Sequence, residues 1–123
     1  MIVIESLNYI VITVSDLERS VKFYKDLFDF DVVENMSSAG QAFLKMGDMV
    51  LSFVEVSGYK SSGDSKNCIS FYVDEEDFDD AIDEIEETGL KIVFGPENIR
   101  KGQRVIFADP DGNHIELSYP SID

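Results

Sequence analysis

The sequence predicts an α+β fold in which the order strand–helix–strand–strand–strand occurs twice within 123 residues. Three observations support this fold: two β-branched strands 59 positions apart, an apolar helical stripe directly after each of them, and a hairpin that closes each half. We expect one domain over 1–123, with a first βαβββ module at 1–57, a connector at 58–66 and a second module at 67–123.

The first module opens with a predicted strand at 9–14, which is rich in β-branched residues. Ser15 and Glu18 then have the spacing of a capping box at the start of a helix. The apolar stripe of that helix consists of Leu17, Val21, Tyr24 and Phe28. Asp29 follows the helix and tolerates the left-handed conformation that ends many helices. The remaining strands of the module are expected at 30–33, 41–46 and 49–56.

The second module repeats this order. Its first strand, at 68–73, is followed by a helix that Asp74 can cap and that Gly89 ends. The apolar stripe of this helix consists of Phe78, Ala81, Ile82 and Ile85. The remaining strands are expected at 90–94, 103–108 and 114–119. The sequence DPDGN joins the last two strands and has the residues that a type I turn favours.

Alternation along the strands separates an apolar face from a mixed one. Residues such as Ile12, Leu51 and Ile115 form the apolar face and should lie under the helices. The opposite face carries polar and aromatic side chains: Tyr9, Ser52, Cys68, Ser70, Tyr72 and Glu116. A face of this kind either contacts solvent or lines a binding trough, and the alternation alone leaves both open.

The composition excludes several classes of function. The chain has 10 Lys and Arg against 25 Asp and Glu, a net charge of −15, so we expect no nucleic-acid partner, because phosphate recognition needs a basic surface. No apolar run is long enough to span a membrane. The single cysteine cannot form an intramolecular disulfide, which favours a reducing compartment. We therefore expect a cytoplasmic protein without a membrane partner.

Two motifs lie near opposite ends of the chain: residues 7–20, with the sequence LNYIVITVSDLERS and the following Phe23-Tyr24, and residues 107–117, with the sequence FADPDGNHIEL. They resemble the opening strand and helix and the closing hairpin of the vicinal-oxygen-chelate superfamily. That superfamily includes glyoxalase I, extradiol dioxygenases, fosfomycin-resistance enzymes and bleomycin-resistance proteins. The resemblance implies paired βαβββ modules whose curled mixed sheets form a cleft, usually in a homodimer.

The resemblance also implies where a metal would bind, since the metal-dependent members place four ligands on the cleft face, typically His, Glu or Gln. The corresponding positions in this chain are Tyr9, Ser52, Cys68 and Glu116. Only Glu116 retains the usual ligand type, because a serine hydroxyl is a weak donor and a tyrosine has a reference pKa of about 10. We therefore expect no metal and no other cofactor, while an unusual site of Cys68, His114 and Glu116 stays open.

The hypothesis that follows is a metal-independent small-molecule-binding protein of the glyoxalase or bleomycin-resistance type that sequesters a cationic or aromatic compound. Tyr9 and Tyr72 would stack on a small organic molecule, and Glu116 would anchor it. Three smaller side chains would complete the wall: Ser52, Cys68 and Ser70.

Two alternatives stay open, so the sequence does not decide whether the chain is an enzyme. One is a metal-dependent lyase, isomerase or thiol transferase of the glyoxalase I or fosfomycin-resistance type, and the other is a dimeric interaction module with a vestigial cleft.

Overall fold

The computed structural model describes residues 1–64 and 66–122 and divides into two compact units, Met1–Lys60 and Ser61–Asp123. Each unit contains one helix and one mixed four-stranded sheet, which confirms the predicted α+β class and the tandem βαβββ order. The division falls within the predicted connector at 58–66, of which position 65 lies outside the described residues. No helix among the described residues has the length and hydropathy needed to cross a bilayer.

The first unit consists of β1 (Ile10–Val14), α1 (Leu17–Phe28), β2 (Asp31–Met36), β3 (Gln41–Met46) and β4 (Met49–Glu55), with a short 3-10 turn at Ser37–Ala39. The strand order in its sheet is β1-β4-β3-β2. β1 is parallel to β4, whereas β3 is antiparallel to both β2 and β4. The parallel pairing requires a crossover between β1 and the rest of the sheet, and α1 supplies part of it.

Helix α1 begins one residue later than the capping-box spacing predicts. Its N-cap is Asp16, whose carboxylate accepts a hydrogen bond from the backbone N–H of Arg19 at 3.1 Å. The hydroxyl of Ser15 instead accepts from the Arg19 guanidinium at 2.9 Å. Asp29 ends the helix with φ 58°, and its backbone N–H donates to the carbonyl of Lys25. The left-handed conformation expected at Asp29 is therefore confirmed.

The core of the first unit lies between α1 and the sheet. Tyr24 of α1 is almost fully buried, and its ring centroid lies 4.8 Å from that of Phe53 in β4. Val14, Leu44 and Leu51 have no exposed surface. Burial of side chains of this size contributes about 1.5–3 kcal/mol each relative to exposure. The apolar face predicted from strand alternation is thus the face that packs in the core.

The second unit consists of β5 (Ile69–Tyr72), α2 (Glu75–Glu87), β6 (Ile92–Ile99), β7 (Gly102–Ala108) and β8 (His114–Tyr119). Its sheet has the order β5-β8-β7-β6, with β5 parallel to β8 and the other pairs antiparallel. β6 extends five residues beyond the predicted end at Phe94 and includes Pro96. An edge strand tolerates proline because one side of its backbone is not hydrogen bonded within the sheet.

Helix α2 differs from α1 at its start. Asp74 occupies the N-cap position, as predicted, but its carboxylate makes no capping hydrogen bond and accepts one from the Tyr72 hydroxyl. The helix ends at Glu87, and Gly89 follows with φ 75°, the left-handed conformation that favours glycine. The predicted stop at Gly89 is confirmed.

The turn between β6 and β7 brings two backbones into close contact. Arg100 and Lys101 both have positive φ, at 37° and 72°. Gly102 begins β7 opposite the end of β8, and a Cβ atom added there would lie 2.0 Å from the carbonyl oxygen of Tyr119. Only glycine fits at this position, since Tyr119 contributes backbone atoms that cannot rotate away.

The two sheets have equivalent strand register. Ile10 pairs with Leu51 in the first unit, and Ile69 pairs with Ile115 in the second. The antiparallel pairs continue this correspondence, so each side chain on the mixed face of one sheet has a counterpart in the other. Three such pairs of positions are Tyr9 with Cys68, Gln41 with Arg104, and Ser52 with Glu116.

Candidate functional site

A cavity of about 370 Å³ lies on the mixed face of the second sheet. Alternate residues of β7 and of β8 point to this face, because side chains two apart on a strand share a side. The polar side chains that line the cavity are Asp64, Lys66, Cys68, Arg104, His114 and Glu116. Val93, Phe94 and Ile106 form its apolar wall. The cavity thus combines both signs of charge with an apolar surface, as small-molecule sites do.

Arg104 is held by side chains on three sides. Its guanidinium forms an ion pair with Glu97, in which Nε donates to the carboxylate. The same guanidinium lies over the ring of Phe94, 5.4 Å from the centroid. Its Nη1 atom is 3.7 Å from Oε1 of Glu116. Arg104 therefore has a defined orientation at the cavity wall, with its charge between two carboxylates.

Cys68 lies just before β5 and is the cysteine of this cavity. Partial burial raises the pKa of its thiol, and the nearby Glu116 carboxylate raises it further, whereas Arg104 lowers it. The net effect is an increase above the ordinary value, so at neutral pH the thiol is protonated and a weak nucleophile. Cys68 is therefore close enough to Arg104 and Glu116 for both charges to change the pKa of its thiol.

Two further predicted residues lie on β5. Ser70 pairs in register with Glu116, and its hydroxyl shares a hydrogen bond of 2.9 Å with that of Ser118. Tyr72 is 56% exposed, and its hydroxyl donates to Asp74. Ser70 is therefore next to the cavity through its strand partner, whereas Tyr72 is engaged with the start of α2.

The remaining two predicted residues belong to the first unit. Tyr9 is 40% exposed, and its ring meets the ring of Phe43 edge to face at 5.3 Å. Ser52 has no exposed surface, and its hydroxyl accepts a hydrogen bond of 3.1 Å from the Gln41 side chain. Its place on the central strand β4, between β1 and β3, explains why this small side chain is covered.

Of the six residues predicted from the sequence, Cys68 and Glu116 line the cavity together. Arg104 also lines it, although it was not among the residues predicted to form the site. Glu97, which orients Arg104, escaped sequence analysis because the strand that carries it was expected to end at Phe94. Glu97 lies three positions beyond that expected end, where strand alternation does not predict the direction of a side chain.

A family model described as the Glyoxalase/Bleomycin resistance protein/Dioxygenase superfamily matches residues 6–117. The chain belongs to this superfamily. The match covers both motifs that carry the resemblance, the opening strand and helix and the closing hairpin. The predicted family is therefore confirmed.

Two relatives of this superfamily member are named as transferases. The metallothiol transferase FosB of Staphylococcus epidermidis is 34% identical over 117 residues, which is 93% of this chain and 81% of the relative. The glutathione transferase FosA of Serratia marcescens is 32% identical over 122 residues, 97% of this chain and 84% of the relative.

Solved structures agree with the fold. The fosfomycin resistance protein FosX from Mesorhizobium loti has a TM-score of 0.79 and 28% identity, and the match covers 98% of this chain and 96% of that one. FosX from Listeria monocytogenes, complexed with Mn(II) and sulfate ion, has a TM-score of 0.84 over 98% of this chain and 94% of that one. The Listeria structure is 21% identical, and its likeness concerns the fold alone.

These relatives correct the hypothesis of a metal-independent small-molecule-binding protein. FosB and FosA are named for the transfer of a thiol and for glutathione transfer, which are catalytic activities, and the name of FosB includes a metal. The thiol-transferase alternative therefore agrees with the relatives, and the binding-protein hypothesis is wrong.

The metal that the name of FosB implies can be tested against the donors of this chain. Cys68, His114 and Glu116 line one cavity, but across residues 1–64 and 66–122 no three His, Cys, Asp or Glu side chains are placed to hold a metal ion. Glu116 is paired with Arg104, and the raised pKa of Cys68 favours its protonated form. This donor set does not fit a divalent ion such as Mn(II), which prefers several oxygen or imidazole ligands.

Proposed function

We propose that this chain is an enzyme that adds a thiol to a small electrophilic molecule, the class of reaction that the names of its relatives FosB and FosA indicate. The observation that carries the proposal is the similarity to FosB, which extends over 93% of the chain rather than over one motif. The cavity beside Cys68 and Glu116 supports it, because a compact space with an acid, a cation and an apolar wall suits a small polar substrate.

The proposed reaction requires a group that moves the proton of the thiol to an oxygen of the substrate, and the cavity lining includes a carboxylate. When a thiol opens a strained carbon–oxygen ring, the sulfur forms a bond to carbon, the carbon–oxygen bond breaks, and its electron pair goes to oxygen. The proton of the thiol ends on that oxygen. A carboxylate within reach can accept this proton and return it, and the Glu116 carboxylate lines the cavity, 3.7 Å from Nη1 of Arg104.

The protein's own thiol does not compete in this scheme. Cys68 has a pKa above its ordinary value because of burial and the charge of Glu116. Its thiol is therefore protonated at neutral pH, and the nucleophile is the thiol of the co-substrate. In the proposed site Cys68 and Ser70 form wall contacts beside Glu116. Tyr9 and Tyr72 are proposed as stacking surfaces, and both rings are at least 40% exposed.

We also propose that the functional form is a homodimer. The first residues of the chain expose a run of apolar side chains: Met1, Ile2, Val3, Ile4 and Leu7, each at least 74% exposed. A single globular chain does not usually leave such a run in water, and a second copy would cover it. Light scattering coupled to size exclusion measures this directly, and a mass of one chain at working concentration would contradict it.

The experiment that tests the activity is product detection by mass spectrometry. The purified protein is incubated with fosfomycin and either glutathione or L-cysteine, in parallel with EDTA and with added Mn(II). We expect a product with the summed mass of fosfomycin and the thiol, formed faster than in a sample without protein. Absence of this product in every arm would contradict the proposal, and the difference between the EDTA and Mn(II) arms measures the metal requirement.

A further inference from the structure

We infer that the turn between β6 and β7 holds a binding site for a phosphorylated small molecule, in which Arg100 and Lys101 contact the phosphate groups. This inference does not depend on the proposed function. A cavity of about 610 Å³ lies at the turn, and its lining includes Ile99, Arg100, Lys101, Gln103 and Tyr119. A space of this size accommodates an organic group as well as a phosphate.

Two side chains of this lining belong to the helix side of the second sheet. Gln103 and Tyr119 pair in register and share a face with the buried Val105 and Leu117, since side chains two apart on a strand point the same way. The Tyr119 ring meets the ring of Phe78 in α2 edge to face, at 5.2 Å. The cavity of the candidate site is on the opposite, mixed face, so the turn provides a second place for a ligand.

The charge of the turn cavity differs from that of the chain as a whole. The chain has 10 basic and 25 acidic residues, yet the described lining contains two adjacent bases and no acid. Within residues 1–64 and 66–122, no carboxylate lies at ion-pair distance from Arg100 or Lys101. The Arg100 guanidinium donates instead to the carbonyl of Pro120, at 3.1 Å. Two bases without an acidic partner favour an anion that carries several charges.

The α2 side of this cavity is acidic. Partial burial raises the pKa of the Tyr119 hydroxyl, and the charges of Glu75 and Asp79 on α2 raise it further. These carboxylates repel an anion from that side. The phosphate groups of a ligand are therefore confined to the side of the cavity where Arg100 and Lys101 lie.

The conformation of the turn indicates that its two bases do not serve the fold. Arg100 and Lys101 form a two-residue hairpin loop, and both have positive φ, at 37° and 72°. Asn and Gly are favoured in such a loop, because a Cβ atom disfavours positive φ. The equivalent connection in the first unit, residues 37–40, has no charged residue, and Gly40 takes its positive φ. A bound anion explains why this turn has an arginine and a lysine instead.

The test replaces both bases with the residues that the turn itself favours. The double variant Arg100→Asn, Lys101→Gly removes two charges without straining the loop. Its matched control is the double variant Lys22→Gln, Lys25→Gln, which removes two charges from the exposed surface of α1. A third variant, Arg104→Gln, removes the guanidinium from the cavity on the mixed face.

Isothermal titration calorimetry measures the binding of ATP, with adenosine as the probe that lacks the phosphates and with EDTA present to remove divalent ions. We expect ATP to bind the wild-type protein, the α1 control and Arg104→Gln with similar affinity, and adenosine to bind none of them. The affinity of the Arg100→Asn, Lys101→Gly variant for ATP should fall about tenfold or more, because its charge-assisted contacts to phosphate are lost.

Unchanged ATP binding in the turn variant, or no binding to the wild-type protein at millimolar ATP, would overturn the inference. Loss of binding in Arg104→Gln would place the nucleotide in the cavity on the mixed face and would overturn it as well. Urea unfolding tests the argument from the turn, since the turn variant should be at least as stable as the wild-type protein. A lower midpoint would show that the bases serve the fold. None of these outcomes requires thiol transfer, so the proposed function is tested separately.

Discussion

The two sheets carry different side chains at one equivalent pair of positions, which lie diagonally across neighbouring strands. In the first unit Gln41 donates to Ser52 at 3.1 Å, and Ser52 has no exposed surface. In the second unit Arg104 lies 3.7 Å from Glu116 at the wall of a cavity, and the Glu116 side chain is 14% exposed. The Gln41–Ser52 pair is thus a neutral hydrogen bond to a buried serine. The Arg104–Glu116 pair carries two opposite charges at the wall of a cavity that a ligand can enter.

The difference teaches that the backbone does not determine the function of this face. Both sheets have the same strand order and register, so the same positions point the same way. In the first unit a short neutral contact joins Gln41 to Ser52, which has no exposed surface. In the second unit the ionic pair is longer, and its arginine is drawn toward Glu97 on the edge strand.

The largest effects are expected in the two cores, where the units should behave alike. Phe53→Ala in the first sheet should reduce the free energy of unfolding by about 3–5 kcal/mol, and its counterpart Leu117→Ala by about 2–5 kcal/mol. Both side chains are buried, at 0% and 4% exposure. Urea unfolding measures both values, and a loss below 1 kcal/mol in either variant would show that its sheet does not pack as described.

The next effect distinguishes the units. Glu116→Gln keeps the size of the side chain but removes its charge, so thiol transfer should slow about a hundredfold if Glu116 handles the proton. The control is Glu84→Gln, which makes the same change on the exposed surface of α2. Product formation is followed by mass spectrometry under saturating thiol. Equal rates for the two variants would remove Glu116 from the reaction.

The helix starts give a smaller contrast. Asp16→Ala should cost about 1 kcal/mol of stability, because the carboxylate caps the Arg19 N–H. Asp74→Ala should cost less than about 0.5 kcal/mol, because Asp74 bonds the Tyr72 hydroxyl instead of capping α2. The difference in urea midpoint between the two variants is the measurement. Equal losses would mean that both helices are capped alike.

The smallest effect concerns the reactivity of Cys68, the only cysteine of the chain. Since burial and Glu116 raise the pKa of the thiol, its alkylation by iodoacetamide at pH 7 should be slower than that of a free thiol. Glu116→Gln removes one cause of the increase, so the pKa should fall and the rate at fixed pH should rise a few-fold. A pH profile that does not move between the two proteins would contradict this electrostatic coupling.

Much of the fold could be predicted from the sequence because its signals are local. The strands at 41–46 and 114–119 have the predicted bounds, since alternation and turn residues define both ends. The errors arose where tertiary context decides. Strand β6 continues through Pro96 because it is an edge strand. Asp16 replaces Ser15 as the cap because its carboxylate reaches the N–H of Arg19.

The candidate site was harder to predict. Alternation predicted that Glu116 and Cys68 lie on one face of the sheet, and both line the cavity there. It could not show that Ser52 is covered by its neighbours, since burial on a central strand depends on the strands beside it. It also could not select Arg104, whose direction is fixed by Glu97, a residue beyond the expected end of its strand. A side-chain contact between two neighbouring strands produces no periodic pattern in the sequence.

Position 102 has a consequence for any attempt to evolve this protein in the laboratory. Because the main chains of β7 and β8 nearly touch at Gly102, a saturation library there should return glycine alone among folded clones. The neighbouring Arg100 and Lys101, which are exposed, should accept many replacements, with glycine and asparagine enriched among them by their positive φ. Sequencing of survivors would thus show one invariant amino acid next to two variable ones.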